Sequence, residues 1–321
     1  MKLRDPVVQT VIRTLYRSLG MELSIRMAKS LIEGYNLNQR MGFPPSVPVP
    51  VQDAVKRIVE DLLDAGLMLE TIEWLIQVDR HGYMGKQYPI VGIDDILAGM
   101  EEVGYTLDPE SELFYEDARR FRTPGWGRLR EGVEYPITLL RLDIARNSRL
   151  VRANASCDVE SAYEALRDIV RRLVEKRRGR LWSWEGDGGL AAFHYGHPNI
   201  SAVLSGVDIM NELLLYNLVD NPLDKPIQVR LAAHAGYLRY TEHQSELLRT
   251  ELVRETTEIE ERYTPPETFS VSATIAPHVD EIIKKCFVHL DSECPWEILS
   301  YSIKPRPLTG RQGRGKAASW K

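Results

Sequence analysis

Apolar residues recur at helical spacing through the first third of the chain. Val7, Val8, Val11, Ile12, Leu15 and Leu19 fall on one helix face. Asp5-Pro6 can start that helix, because proline lacks the N–H that a first helical turn leaves unpaired. Leu23 to Tyr35 predicts a second helix. Pro44-Pro45-Ser46-Val47-Pro48-Val49-Pro50 is a stiff connector that cannot be helical. Val55, Ile58, Leu62, Leu63, Leu67, Leu69, Ile72 and Leu75 resume the helical pattern. Asp94 to Val103 predicts a short helix with Gly104 at its C-terminal cap.

Beyond residue 135 the pattern alternates between the two periods. Ile137-Thr-Leu-Leu-Arg-Leu142 is a β-compatible run. In Asp158 to Glu175, the residues Val159, Ala162, Leu166, Ile169, Val170, Leu173 and Val174 line one helix face, with Arg and Lys opposite. Gly179 to Phe193 reads as two short strands joined by the turn Glu185-Gly186-Asp187-Gly188-Gly189, and strand alternation turns Ser183 away from Trp182 and Trp184. Then come an apolar helix (Ile200 to Leu218), a strand (Ile227 to Ala235), a charged helix (Ser245 to Tyr263), a strand (Phe269 to Ser272), a helical stretch (Ala273 to Ile283) and a last strand (Trp296 to Ile303). This order gives an α/β (α+β) class with the β-α-β-β-α-β, ferredoxin-like plan and extensions.

The 321 residues suffice for two domains. Thr123-Pro124-Gly125-Trp126-Gly127 reads as a linker, which sets the boundary near residue 131. Residues 1–130 are expected to be a mainly helical regulatory or dimerising domain, 131–308 a catalytic domain, and 309–321 a flexible basic tail. The short helices permit a helix-turn-helix reading, but no basic recognition helix supports it. Arg119-Arg120-Phe121-Arg122 reads as a solvated face. Composition is ordinary, with 43% apolar and 27% charged residues. A net charge of −5 and a pI near 5.9 argue against a broad nucleic-acid surface, while leaving room for a local basic pocket. Cys157, Cys286 and Cys294 have no zinc or redox spacing. No signal-peptide pattern is visible, and no apolar run approaches the roughly 20 residues of a membrane helix, so a cytoplasmic protein without membrane partners is expected.

The candidate chemistry lies in two acidic positions. Asp143 stands at the C-terminal end of the Ile137 run, and Asp187 stands in the glycine-rich turn. Taken alone, Asp187 is an ordinary turn residue. If the two strands pair, both carboxylates project at one sheet edge, where they repel unless a cation lies between them. All-oxygen ligation suits Mg²⁺ or Mn²⁺.

Four stretches carry a resemblance: Leu142-Asp143-Ile144-Ala145-Arg146-Asn147-Ser148; Gly179-Arg180 followed by Glu185-Gly186-Asp187-Gly188 and Ala191-Ala192-Phe193; Val229-Arg230-Leu231-Ala232-Ala233-His234-Ala235-Gly236; and Phe269-Ser270-Val271-Ser272. In this order they resemble the class III nucleotidyl cyclases, the adenylate and guanylate cyclase catalytic domain, over roughly residues 135–305. The resemblance implies a cyclase palm that converts a nucleoside triphosphate to a 3′,5′-cyclic nucleotide and pyrophosphate with two Mg²⁺ or Mn²⁺ ions. It assigns Asp143 and Asp187 as metal ligands, with Ile144 ligating through its carbonyl. It places the Arg146, Asn147 and Ser148 amides near the phosphates and makes Lys304 a candidate for the triphosphate. It implies an active site formed by a homodimer.

Two positions depart from the family's pattern. Ser183 stands where an adenine-reading Lys or a guanine-reading Glu is usual, which points to a pyrimidine substrate, as in the bacterial antiphage pyrimidine cyclases of this superfamily. The helix before the Val-Ser strand, Glu251 to Arg262, lacks the Asn and the Arg four residues later that orient the ribose and stabilise the transition state; Arg254 or Arg262 is the candidate replacement. The alternative is a cyclase-like domain that has lost turnover and serves as a nucleotide-binding or assembly module. His234 reads as structural, and His194 and His197 lack further metal ligands.

Overall fold

The computed structural model describes residues 5–44, 47–290 and 295–303. The chain divides into two compact units, Met1–Arg128 and Leu129–Lys321.

The first unit is mainly helical. Its helices are α1 (Asp5–Ser18), α2 (Gly20–Leu31), α3 (Leu37–Met41), α4 (Val51–Asp64), α5 (Met68–His81) and α6 (Ile93–Glu102), followed by a two-stranded antiparallel ribbon of β1 (Tyr105–Leu107) and β2 (Phe114–Glu116). The apolar stripes of the sequence are its core: Val11, Leu15, Met27, Ile58, Leu62, Ile72 and Leu75 are all buried. Short polar devices set the ends. The Asn36 side chain accepts the Gln39 N–H at the start of α3, and Gly42, at φ 71°, ends it. The linker expected at 123–127 is corrected. Trp126 is fully buried, its carbonyl accepts the Glu116 N–H, and the Glu116 carboxylate accepts both the N–H and the hydroxyl of Thr123. Burying one indole outweighs the local Pro-Gly signal.

The second unit is built on a seven-stranded sheet. In chain order it contains β3 (Glu134–Ile144), α7 (Asn147–Ala153), α8 (Ser156–Glu175), β4 (Arg180–Glu185), β5 (Gly188–Phe193), α9 (Pro198–Val219), β6 (Val229–Arg239), α10 (Gln244–Leu247), α11 (Glu251–Glu258), a π-helical turn (Ile259–Tyr263), β7 (Thr268–Ser272), a 3₁₀ turn (Ala276–His278), α12 (Glu281–Lys284), β8 (Val288–His289) and β9 (Ile298–Tyr301). The sheet order is β4-β5-β3-β6-β7-β9-β8. Within it, β3, β4, β5 and β6 pair antiparallel with α8 and α9 as the two crossovers, which is the ferredoxin-like plan expected from the order of elements.

Alternation along the strands gives the sheet two unlike faces. Leu140, Leu142, Ile144, Ala191, Phe193, Leu231, Ala233, Phe269 and Val271 face α8 and α9 and form one core with them. The other face carries Arg141, Asp143, Arg230 and His234, and α11 with its π-helical turn packs there, with Ile259 against Ala232 and Ile298. Three sequence expectations are corrected. The charged helix over 245–263 is broken into α10, α11 and the π turn. The helical stretch over 273–283 is reduced to a 3₁₀ turn and α12. A helix long and apolar enough to span a membrane does exist: α9 has 22 residues, and its inner side is committed to the sheet core. Such an apolar composition follows from covering a sheet.

Phe269 shows how tightly this core is closed. Its ring fills the space above Gly206 of α9, where an added Cβ would lie 2.4 Å from the ring. Phe269→Ala is expected to destabilise this unit by about 3–5 kcal/mol, measured by urea unfolding; a loss under about 1 kcal/mol would mean that the core closes around the cavity.

Candidate active site

The site is assembled where β3 ends. Asp143 lies opposite Gly188 on β5 and Arg230 on β6. Gly188 leaves the carboxylate room: a Cβ there would stand 2.9 Å from the Leu142 carbonyl and 3.3 Å from Asp143 Oδ1. The β4–β5 turn is two residues long, opened by Gly186 at φ 56°, a backbone region glycine adopts freely. The Asp187 carbonyl accepts the Ile144 N–H at 3.1 Å, which ties the turn to the end of β3.

Asp187 is half-buried, although it stands in a turn flanked by glycines. The cause is Asn147, whose amide nitrogen donates to Asp187 Oδ2, while the Tyr163 hydroxyl of α8 donates to Asn147 Oδ1. Burial raises the Tyr163 phenol above its ordinary pKa, and the negative charges of Asp187 and Asp143 add to the rise. Both carboxylates therefore act electrostatically on one hydroxyl.

Arg230 holds the other carboxylate. Its Nη2 donates to Asp143 Oδ2 at 2.5 Å, and its Nε lies 2.8 Å from Oε1 of the fully buried Glu260, too far off line to count as a well-formed hydrogen bond. Arg141 reaches Glu260 Oε2 at 3.4 Å. Burial pushes the Glu260 carboxyl up to about 7; Arg230 pulls against this and Asp143 adds to it. A carboxyl at about 7 in the fold and near 4.5 in the unfolded chain keeps its proton longer when folded. Its contribution to stability is full below about pH 4.5 and is lost as pH rises through about 7. Glu260→Gln is expected to flatten stability across that window in urea unfolding; equal slopes in variant and wild type would refute the assignment.

The other expected residues are distributed as follows. Ile144 is buried at the strand end, with its N–H directed at the turn. Arg146 caps α7 in the left-handed region at φ 61° and is exposed, as is Ser148, while Asn147 is turned inward to Asp187. Ser183 shares the face of Asp143, on the rung of Leu190 and Arg141. The alternation expected for β4 is corrected: Trp182 is an extra residue in a β-bulge, so Trp184 packs on the helix-covered core and Trp182 on Tyr240, ring centres 6.5 Å apart. Arg254 and Arg262 are exposed on the α11 segment, and Arg262 pairs with Glu258 at 2.9 Å. No contact brings either arginine to the aspartates of the same chain among the described residues; Lys304 lies outside them. His234 is buried and shared between Ser272 Oγ and Glu255, and His194 bonds the Pro136 carbonyl.

Tyr163, Arg230 and Glu260 were not singled out from the sequence. Arg230 had a usable signal, since it is the second residue of the motif stretch Val229 to Gly236. Among the described residues no three His, Cys, Asp or Glu side chains cluster as metal ligands. An ion here would rest on Asp143, Asp187 and a backbone carbonyl, a hard-oxygen set that fits Mg²⁺ or Mn²⁺.

No family model and no curated protein sequence matches the chain. Among solved structures, the chain is similar to the monomeric guanylyl cyclase domain of the RhoGC fusion protein from Blastocladiella emersonii, at 14% identity over 54% of this chain and 98% of that one, TM-score 0.45. It is similar to the guanylyl cyclase Cya2, at 17% identity over 56% and 98%, TM-score 0.44. It is also similar to the adenylyl cyclase CyaB from P. aeruginosa, at 14% identity over 54% and 97%, TM-score 0.43.

Proposed function

We propose that the second unit is a nucleotidyl cyclase that converts a nucleoside triphosphate to a 3′,5′-cyclic nucleotide and pyrophosphate. The observation that carries this reading is the convergence of Asp143 and Asp187, distant in the chain, on one end of the sheet beside the α7 loop. A divalent cation bound there would lower the pKa of the ribose 3′-hydroxyl and neutralise charge on the phosphates. The chain's own residues do the rest. Asp143 and Asp187 would hold the ion, with the Ile144 carbonyl. Asn147, itself held by Tyr163, fixes the Asp187 carboxylate. The backbone amides of Arg146, Asn147 and Ser148 would face the phosphates. The 3′-hydroxyl would lose its proton to solvent, its oxygen would attack the α-phosphorus, the bond from the α-phosphorus to the β-bridging oxygen would break, and pyrophosphate would leave.

Ser183 supports a pyrimidine base, because a neutral hydroxyl on the face of Asp143 offers neither the ammonium nor the carboxylate that selects a purine. We assign the substrate to the cytoplasmic nucleotide pool, the working unit to a homodimer and the biological setting to antiphage signalling. A second reading is a domain without turnover, favoured by the Arg230–Asp143 ion pair and by a Glu251–Arg262 segment without asparagine. The test is incubation of the purified protein with Mn²⁺ and each of the four ribonucleoside triphosphates. Cyclic product and pyrophosphate from UTP or CTP, lost in Asp143→Asn, are expected. No product from any triphosphate at high protein concentration would leave the second reading.

A further inference from the structure

We infer that two copies of this chain associate through α8 and α9, on the sheet face opposite Asp143, about a two-fold axis. The inference goes beyond the cyclase reading and does not depend on it. It starts at the end of α9, where Leu214, Leu215, Leu218 and Val219 are 39%, 61%, 73% and 77% exposed. A single exposed leucine needs no explanation, but four large apolar side chains on two adjoining turns form a patch, and patches mark contact surfaces. The patch continues into a groove of about 680 Å³ between α8 and α9, lined by Ile169, Leu173, Leu215 and Val219. The inner side of α9 is committed to the sheet core, so these outward residues are not needed to hold the helix in place.

The charges around the groove select the occupant. Arg172 pairs with Glu212, and Lys176 lies 4.0 Å from Asp208, so α8 and α9 run antiparallel. One end of the groove carries Arg172, Lys176 and Arg177 against Asp208 and Glu212, which leaves one positive charge. The other end, beside Val219, carries Asp220, which leaves one negative charge. Glu212 and Asp220 are eight residues apart on α9, so the polarity reverses over about 12 Å. A half-turn about an axis near Leu215 exchanges the two ends. It brings Asp220 of each copy to Lys176 and Arg172 of the other and sets Leu215 and Leu218 at the centre, an isologous contact with matched charge. The ion pairs within one chain do not use up the basic end, because exposed pairs contribute little and both Arg172 and Lys176 stay largely in solvent. A neutral lipid surface would match the leucines and leave the alternating rim unanswered. The contact lies away from Asp143, so it is compatible with a two-chain site on that face, and the two contacts together would build an assembly larger than a dimer.

The experiment is sedimentation equilibrium of the full chain over a concentration series, beside Leu218→Glu, whose exposed side chain can change without disturbing the core. Circular dichroism confirms that the variant is folded. A wild-type assembly of twice the variant's mass at equal concentration is the expected result. Lys176→Glu and Asp220→Lys each lower the mass in the same way, and the double variant recovers it, because the exchanged charges meet again across the axis. Equal masses for wild type and Leu218→Glu at every concentration would overturn the inference. Equal masses together with flotation of the wild type, but not of Leu218→Glu, on phosphatidylcholine vesicles would also overturn it and would assign the leucines to a lipid surface. Mass is read without turnover, so failure of the cyclase reading leaves this outcome unchanged.

Discussion

Asp187→Asn lowers cyclic-nucleotide formation by about a thousandfold while leaving the fold standing. The two halves of that expectation come from different atoms of one residue. The main-chain carbonyl of residue 187 accepts the Ile144 N–H and ties the hairpin turn to β3, and the substitution keeps it. Asparagine suits a tight turn as well as aspartate does, and its side-chain oxygen can still accept from Asn147. What disappears is the negative charge. A neutral amide oxygen is a poor ligand for a hard divalent ion beside a single remaining aspartate. The measurement is cyclic product by mass spectrometry alongside thermal unfolding. A variant within tenfold of wild type would show that Asp187 holds no ion. A variant that melts far below wild type would assign the residue to the turn, its ordinary role.

How far the sequence reveals this site depends on which physical signal each part uses. The ferredoxin-like core was legible because its strands and helices obey two clear periods, and because α8 and α9 carry continuous apolar faces that must cover a sheet. The aspartates were legible because glycines and a strand end marked them. The β1–β2 ribbon was not, since strands of three residues are too short for a period to register. Trp126 was hidden inside a Pro-Gly stretch whose local signal says linker, although a single buried indole holds it in the fold. The bulge at Trp182 inverts the facing of one tryptophan, and nothing local announces an inserted residue.

The polar network was hidden for a different reason. Glu260 stands in a run of glutamates that reads as a solvated helix face. It is buried because Arg141 and Arg230, on neighbouring strands, present two guanidiniums to that helix. Tyr163 sits between Ala162 and Leu166 on a helix whose apolar stripe absorbs the pattern, and its hydroxyl gains a role through Asn147, sixteen residues earlier. Such partners are set by register across the sheet. A one-residue shift of β3 or β6 would move Arg141 and Asp143, or Arg230, to the other face.

Mixing Asp187→Asn protein with protein carrying both Arg254→Ala and Arg262→Ala restores about a quarter of wild-type turnover, although each alone is nearly inactive. Removing charge stabilisation from the transition state costs about two orders of magnitude or more, so the arginine variant by itself should form little product. Within one chain both arginines are exposed on the α11 segment, and no described contact joins them to the aspartates. If they act at all, they act on a neighbouring copy, which is the arrangement a two-chain site requires. Random exchange makes about half of the dimers mixed, and each mixed dimer has one site with both aspartates facing both arginines. Recovery would therefore fix the symmetry of the site and the role of the arginines together. Mixed dimers that form, as seen by tagged co-purification, yet show no recovery would place the transition-state charge elsewhere. Full activity of the double arginine variant alone would do the same and would leave Arg230, already beside Asp143, as the cation to test next.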